Sequence, residues 1–117
     1  MSRLLGGFES ILLFAVLELD GVAHSVRIRR TIEERTGRVV SPGAIHTALD
    51  RLEKRELVSS KTGASSPKHG GRPRRFYALT AAGATALRES HGAMLQMSAG
   101  LEKQLAKAAS GPVGGEG

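Results

Sequence analysis

The hydrophobic pattern changes its period near the middle of the chain, and this change limits the folds that the chain can adopt. Up to about residue 54 the apolar side chains recur at helical spacing, as in Ile45, Leu49 and Leu52. Two short stretches further on, residues 57–62 and 74–79, instead have the character of extended strands. The sequence therefore predicts a helix that leads directly into a β-hairpin.

The helix before the hairpin has the clearest start in the sequence. Ser41 is a favoured N-cap residue, and Pro42 fits the first helical position, where its missing N–H is not needed. The face opposite the apolar stripe begins with small or hydrogen-bonding side chains, so this tip can approach another molecule closely. The residues on that face are Gly43, Ala44, His46, Thr47, Asp50, Arg51 and Lys54.

Two further helices are expected before this one. The first, around residues 8–19, is apolar on nearly every face, which predicts burial on more than one side. That burial fits either a central helix of a monomer or a helix that a second subunit partly covers. The second helix runs from about His24 to Thr36 and stops at Gly37, with arginines on its outward faces.

One more helix is expected after the hairpin, capped by Thr80 and continuing without interruption to about Lys107. It contains three glycines, and each weakens a helix by roughly 1 kcal/mol relative to alanine, so the helix needs support from packing. The predicted organisation is a domain over residues 1–79, a C-terminal helix over residues 80–108 and a flexible tail over residues 109–117.

The positive charge is concentrated in one segment. The chain carries 17 basic and 11 acidic side chains, a net charge of +6, and five of these net charges fall within residues 61–75, which contain no acid. This segment joins the two strand candidates and is rich in Gly, Ser and Pro, which indicates an exposed loop. Such a loop is either a solvated linker or a contact for an anionic partner. Its cations are Lys61, Lys68, Arg72, Arg74 and Arg75.

The order of elements (three helices, a hairpin and a helix) is that of a winged helix-turn-helix. The expected fold class is therefore mainly α with a small β-hairpin. A capped helix with a small, polar tip can enter the major groove of DNA, which is about 12 Å wide. The basic hairpin tip can contact the adjacent phosphates or the minor groove, because both attract positive charge. Double-stranded DNA is thus the expected partner.

Other classes of function find little support in the composition. Cysteine is absent, which excludes disulfides, thiolate nucleophiles and thiolate metal sites. The four histidines are too widely spaced to suggest a metal site, and the acids are scattered beside basic residues. The apolar run between Glu9 and Glu18 is too short to span a bilayer. We expect no enzyme activity, metal, cofactor or membrane association, and a cytoplasmic location.

Three stretches resemble the motifs of PadR-family transcriptional regulators, and they occur in the family's order over roughly residues 8–105. The first resembles the family's recognition helix, the second its wing and the third the start of its C-terminal helix. The stretches are Thr36-Gly37 with Ser41-Pro42-Gly43-Ala44-Ile45 and Leu49-Asp50-Arg51-Leu52-Glu53; Gly70-Gly71-Arg72-Pro73-Arg74-Arg75-Phe76-Tyr77; and Leu79-Thr80 with Gly83 and Leu87. The resemblance implies the short-tailed branch, in which one helix follows the wing.

The resemblance further implies a bacterial repressor that binds DNA as a homodimer, with the first and last helices forming the dimer contact. The expected dimer residues are the apolar ones of these helices: Phe8, Leu12, Leu13, Phe14, Val16, Leu87, Met94, Leu95 and Leu101. The expected DNA-binding residues lie on the recognition helix and the wing: Ser41, Gly43, Ala44, His46, Thr47, Arg51, Lys68, Arg72, Arg74 and Arg75. Among these we expect His46 and Thr47 to face base edges, and Arg72 and Arg74 to face phosphates or the minor groove.

The chain also departs from the family pattern. His46 stands where the family commonly has tyrosine, and His24-Ser25-Val26 replaces an aromatic–glycine–aromatic run, so a different sequence preference is expected. Tryptophan is absent, so the binding of flat drugs between tryptophans, known for some short members, does not carry over. Any small-molecule effector is unknown. The alternative function is a winged-helix interaction module whose basic loop binds an acidic protein partner.

Overall fold

A computed structural model describes residues 3–65 and 73–111 of the chain. Over these residues the fold is mainly α, as predicted, with five helices and one antiparallel hairpin. The elements are α1 (Gly7–Glu18), α2 (Ser25–Thr36), α3 (Pro42–Lys54), β1 (Val58–Ser65), β2 (Pro73–Leu79), α4 (Ala81–Ser98) and α5 (Glu102–Ala109). The arrangement is a winged helix-turn-helix, in which α2 and α3 form the helix-turn-helix and the hairpin forms the wing. No helix in this described part is both long and apolar enough to cross a membrane.

The ends of α2 and α3 follow the capping residues that the sequence indicated. The Ser41 hydroxyl accepts a hydrogen bond from the Ala44 N–H at 3.1 Å, and Pro42 occupies the first turn of α3. α2 ends at Gly37, whose φ of 73° is a left-handed conformation that glycine adopts without strain. These two ends confine the link between the helices to a short turn and thereby set the direction of α3.

A single apolar core joins α1, α2, α3 and the base of the hairpin. The predicted stripe of α3, Ile45, Leu49 and Leu52, is completely buried, as is Ile28 of α2. Complete burial of one such side chain stabilises a fold by about 1.5–3 kcal/mol relative to leaving it exposed. The buried stripe therefore fixes the rotation of α3 and leaves its opposite face directed to solvent.

The hairpin begins directly after α3 and is anchored at its base. In the antiparallel register Ser60 lies opposite Tyr77, and Thr62 lies opposite Arg75. Tyr77 is buried, and its backbone N–H donates to the carbonyl of Ala23 at 2.9 Å. Strand β2 is therefore tied to the segment that precedes α2 as well as to β1.

The start of α4 packs against the turn between α3 and β1. The Thr80 hydroxyl accepts from the Gly83 N–H at 2.9 Å and donates to the Glu56 carbonyl at 2.7 Å. A Cβ atom on Gly83 would lie 1.9 Å from the carbonyl oxygen of Leu57, so only glycine permits this approach. A glycine that weakens the isolated helix is thus required where the helix meets the rest of the fold.

The N-terminal segment connects the helix-turn-helix to α4. The Leu5 N–H donates to the hydroxyl of the buried Ser90 at 2.8 Å. The Phe14 ring of α1 meets the His91 ring of α4 edge to face, with centroids 5.3 Å apart. Helix α1 therefore lies between the helix-turn-helix and α4.

The prediction of one uninterrupted helix from Thr80 to about Lys107 was wrong. Helix α4 ends at Ser98, and α5 begins at Glu102 after a bend in which Gly100 has a φ of 79°. The apolar spacing continues across the bend, so the pattern alone did not reveal it. None of the described residues from 91 to 111 is buried, so within the described part of the chain this region lacks the core packing that supports the start of α4.

Candidate nucleic-acid interface

The outer face of α3 is a continuous exposed surface. The buried stripe consists of Ile45, Ala48, Leu49 and Leu52, and the intervening positions face solvent. Exposed residues recur with helical spacing along one side of the helix, which is the side that sequence reasoning had selected. They are Gly43, His46, Thr47, Asp50, Arg51 and Lys54.

The tip of α3 is open to solvent on every side of its first turn. Ser41, Pro42, Gly43 and Ala44 are all exposed, and none has a side chain larger than a proline ring. The N-terminus of a helix carries partial positive charge and unpaired N–H groups, and it favours anions such as phosphate. The tip therefore combines close access with an attraction for a phosphate backbone.

At the base of the wing, Arg75 is held by groups from α3 and β1. Its Nη1 lies 3.8 Å from Glu53 Oε1 and donates to the Ser60 hydroxyl at 3.3 Å. The Ser60 hydroxyl in turn donates to Glu53 Oε2 at 2.6 Å. Arg75 thus contacts both the recognition helix and the neighbouring strand, while more than half of its side chain stays exposed.

Arg74, the preceding residue, contacts the start of α2. Its Nη1 lies 2.9 Å from His24 Nδ1 and 2.7 Å from His24 Nε2. The same imidazole packs edge to face on Phe76, with ring centroids 5.7 Å apart. Since successive strand residues point to opposite faces, Arg74 and Arg75 attach β2 to α2 on one side and to α3 on the other.

Of the remaining cations of the basic segment, the structure describes one. Lys61 lies on β1 and is exposed. Lys68 and Arg72, both expected to bind DNA, lie outside the described residues. The described base of the wing therefore presents Lys61 and the partly exposed Arg75 on the hairpin that follows α3.

The residues at the junction of α3 and β2 share one electrostatic environment. Burial raises the pKa of Tyr77 above its usual value, Arg75 opposes this rise, and Glu53 and Asp50 add to it. The phenol of Tyr77 is consequently neutral at physiological pH. A neutral, buried ring thus lies within the electrostatic influence of Arg75, Glu53 and Asp50.

The predicted dimer residues fall into two groups. Leu12, Leu13, Val16 and Leu87 are each no more than 3% exposed and belong to the core of the single chain, which leaves no surface for a partner. The other five, on α1, α4 and the start of α5, are exposed. These are Phe8, Phe14, Met94, Leu95 and Leu101.

Further apolar side chains extend the exposed group. Leu17 of α1, Met97 of α4 and Leu105 of α5 are also directed to solvent. A groove of about 460 Å³ lies between α1, α2 and α4, with Phe14, Leu17 and His91 in its lining. We call the exposed apolar residues of α1, α4 and α5 together the α1–α5 face.

Sequence reasoning missed the residues that contact Arg74 and Arg75 of the wing. It assigned no role to Glu53 or Ser60, and it treated His24 as an ordinary surface histidine. One signal was present: Glu53 borders the buried stripe of α3 one turn before the hairpin, and two adjacent arginines follow in β2. The pairing itself depends on how the hairpin folds back on α3, which spacing along the chain does not specify.

A model of the transcriptional regulator PadR-like family matches residues 13–89, which is more than half of the chain. The chain belongs to the PadR-like family of transcriptional regulators. The match includes the whole helix-turn-helix, the wing and the first half of α4. As a member of this family, the protein is a DNA-binding transcriptional regulator.

Solved structures with the same fold include several regulators. A transcriptional regulator from Thermoplasma acidophilum is 24% identical with a TM-score of 0.67, covering 87% of this chain and 92% of its own. A PadR-like regulator from Bacillus cereus is 21% identical with a TM-score of 0.64, covering 90% and 93%. A PadR-family regulator from Clostridium difficile is 24% identical with a TM-score of 0.65, covering 85% and 99%. These likenesses establish the fold. No curated protein sequence matches the chain significantly.

Proposed function

We propose that this PadR-like regulator is a sequence-specific repressor that binds a pseudo-palindromic operator as a homodimer. The observation that carries the proposal is the outer face of α3, which is exposed along its whole length and is held in place by a completely buried stripe. A helix presented in this way can lie in the major groove with its side chains against base edges.

Within this proposal the residues of α3 have different tasks. His46 and Thr47 face the base edges, because both are exposed near the tip and can form hydrogen bonds. Ser41, Gly43 and Ala44 allow the tip to approach the backbone closely. Arg51, further along the same face, contacts a phosphate or a base. Asp50 orders the helix locally.

The wing supplies the sequence-independent part of binding. Lys68, Arg72, Arg74 and Arg75 contact phosphates or the minor groove, and each phosphate contact releases condensed counterions. The exposed portion of Arg75 is compatible with such a contact at the base of the wing. The protein acts in the bacterial cytoplasm, where a small dimer represses by occluding its operator.

The α1–α5 face is the proposed dimer contact. Met94 and Leu105 are 67% and 70% exposed, and one chain leaves them in water. Helix α5 has eight residues and buries none of them, although isolated helices shorter than about 12–15 residues are marginal in water. A second copy that covers this face would stabilise α5 and bring two recognition helices onto one side of the duplex.

Selection of bound duplexes from a random pool tests the proposal. We expect enriched sequences with two inverted half-sites whose centres are about 34 Å apart, the distance that a symmetric dimer imposes. Enrichment without symmetry would contradict the dimer. If the protein retained no duplex even at low salt, the interaction-module alternative would be favoured instead.

Variants with matched controls separate the two kinds of contact. Thr47→Ala should relax the selected sequence at one position of each half-site, whereas Thr85→Ala, an exposed threonine on α4, should leave it unchanged. Arg72→Ala should weaken binding to all sequences and reduce the salt slope by about one, whereas Arg88→Ala on α4 should not. Uniform weakening by Thr47→Ala, or an unchanged slope for Arg72→Ala, would remove that residue from its proposed role.

A further inference from the structure

Glu53 connects three elements of the DNA-binding part. It projects from the C-terminal half of α3, accepts a hydrogen bond from Ser60 of β1 at 2.6 Å and pairs with Arg75 of β2 at 3.8 Å. Arg75 closes the triangle by donating to the Ser60 hydroxyl at 3.3 Å. The carboxylate is therefore directed toward the hairpin and lies beside the outer face of α3 instead of on it.

This arrangement is poorly suited to stabilising the fold. The side chains of Arg75 and Glu53 are 56% and 34% exposed, and ion pairs of this kind contribute little to the free energy of unfolding. A carboxylate close to a DNA-binding surface also repels phosphate. Glu53 therefore suits neither direct binding of DNA, which would require a cation at this position, nor stabilisation of the fold, which would require deeper burial.

We propose that Glu53 is a positioning residue for DNA recognition: it holds Arg75, and through it the wing, in a fixed orientation relative to the reading face of α3. This inference rests on the proposed function. The register explains why a contact at this point is effective, because Arg75 lies opposite Thr62, and beyond this pair the register shifts before Ser65 meets Pro73. A small rotation of β2 at this point would displace the hairpin relative to the bases that α3 contacts.

The proposal separates two properties of binding. Removing the charge of Glu53 removes one repulsion from phosphate, so affinity for random-sequence DNA should rise slightly. Loss of the fixed wing orientation should at the same time reduce the affinity for the operator relative to random-sequence DNA. The reason is that α3 and the wing then no longer contact one duplex in a single fixed arrangement. The ratio of operator affinity to random-sequence affinity should consequently fall.

The experiment compares Glu53→Gln with Glu56→Gln in the full chain, using the selected operator and a random duplex of equal length. Glu56 is an exposed carboxylate three residues further along the chain, so its substitution makes the same change in charge without touching the hairpin. We expect both variants to gain a similar, small affinity for random duplex. Only Glu53→Gln should lower the affinity ratio, by about three- to tenfold, with an unchanged melting temperature.

A double-mutant cycle tests whether Glu53 acts through Arg75. Arg75→Gln alone should lower the ratio, and Glu53→Gln added to it should lower the ratio little further, because the two residues form one unit. Additive losses would overturn the proposal. An equal affinity ratio for Glu53→Gln and Glu56→Gln would also overturn the proposal. So would a Glu53→Gln variant that binds the operator more strongly at an unchanged affinity ratio, because Glu53 would then only neutralise the charge of Arg75.

The outcomes distinguish this inference from the function on which it rests. If the wild-type protein shows no preference for any selected duplex, the proposed function fails. If the wild type discriminates and Glu53→Gln discriminates equally well, only the positioning role fails.

Discussion

The two halves of the C-terminal region contrast in how they are packed. The first half of α4 buries Gly83, Leu87 and Ser90 against the winged helix-turn-helix. The second half of α4 and all of α5 carry comparable apolar residues, yet no described residue from 91 to 111 is buried. Apolar residues at the same helical spacing are therefore packed inside the chain in the first half and exposed to solvent in the second.

The contrast shows that apolar spacing does not identify the surface that a helix packs against. Leu87 and Leu95 lie two turns apart on α4, and they are 3% and 56% exposed. The first contacts the core because the Thr80 cap and Gly83 dock the start of α4 on the turn after α3. The second lies beyond the edge of the domain, where the described part of the chain leaves it more than half exposed.

The largest expected effect comes from Gly83→Ala. The added methyl would lie 1.9 Å from the Leu57 carbonyl oxygen, so α4 would have to separate from the turn after α3. We expect a loss of more than about 3 kcal/mol in the free energy of unfolding, measured with urea. Gly92→Ala is the control: its methyl meets no atom within 4 Å, and it should stabilise the helix by up to about 1 kcal/mol. A destabilising Gly92→Ala would instead place a second copy close to that glycine.

Leu87→Ala and Leu95→Ala compare the two halves directly. Leu87→Ala removes a core side chain and should cost about 3 kcal/mol at every protein concentration. Leu95→Ala should cost little when the protein is dilute, and its cost should grow with concentration because dimer contact stabilises only the associated state. Thermal unfolding at two concentrations measures both. Equal, concentration-independent losses would show that the contrast between the halves is wrong.

Leu105→Glu tests whether α5 takes part in the exposed face. A buried charge in place of an apolar contact should weaken self-association by about tenfold, measured by sedimentation equilibrium, with unchanged helix content. Gln104→Glu, the neighbouring exposed position on α5, adds the same charge without removing an apolar side chain. If the two variants associated equally well, α5 would lie outside the dimer contact.

The smallest expected effect is that of Ser90→Ala. Its hydroxyl accepts from the Leu5 N–H at 2.8 Å in a buried position, so the substitution leaves a buried donor unpaired. We expect a loss of about 1 kcal/mol in the free energy of unfolding. Ser98→Ala at the end of α4 should change stability by less than about 0.5 kcal/mol, since its hydroxyl bonds only to the Leu95 carbonyl. Similar losses from both would indicate that the Leu5 contact adds nothing.

Much of the fold could be predicted from local signals. Ser41, Thr80 and Gly37 cap their helices as expected, because capping depends on atoms within a few residues of each other. The exposed face of α3 followed from its buried stripe for the same reason. The break after Ser98 escaped prediction, since a glycine within an apolar repeat is compatible with both a continuous and a bent helix.

The candidate site could be predicted in its location and not in its connections. The basic segment and the helix tip were recognisable, whereas the contacts of Arg74 with His24 and of Arg75 with Glu53 were not. Those pairs join residues that are 50 and 22 positions apart in the chain. Which groups meet depends on the angle at which the hairpin returns to the helices.

The amino-acid sequence by itself determined the first three helices, the hairpin, the helix caps, the face of α3 that is buried and the position of the positive charge, because each is set by near neighbours along the chain. Only the tertiary structure decided that Leu12 and Leu13 are internal, that Gly83 is indispensable where α4 docks, and that Arg75 is held by Glu53. These outcomes depend on how whole elements pack. The sequence pattern indicates that a side chain will be buried or paired, and the packing of the elements decides which residue it contacts.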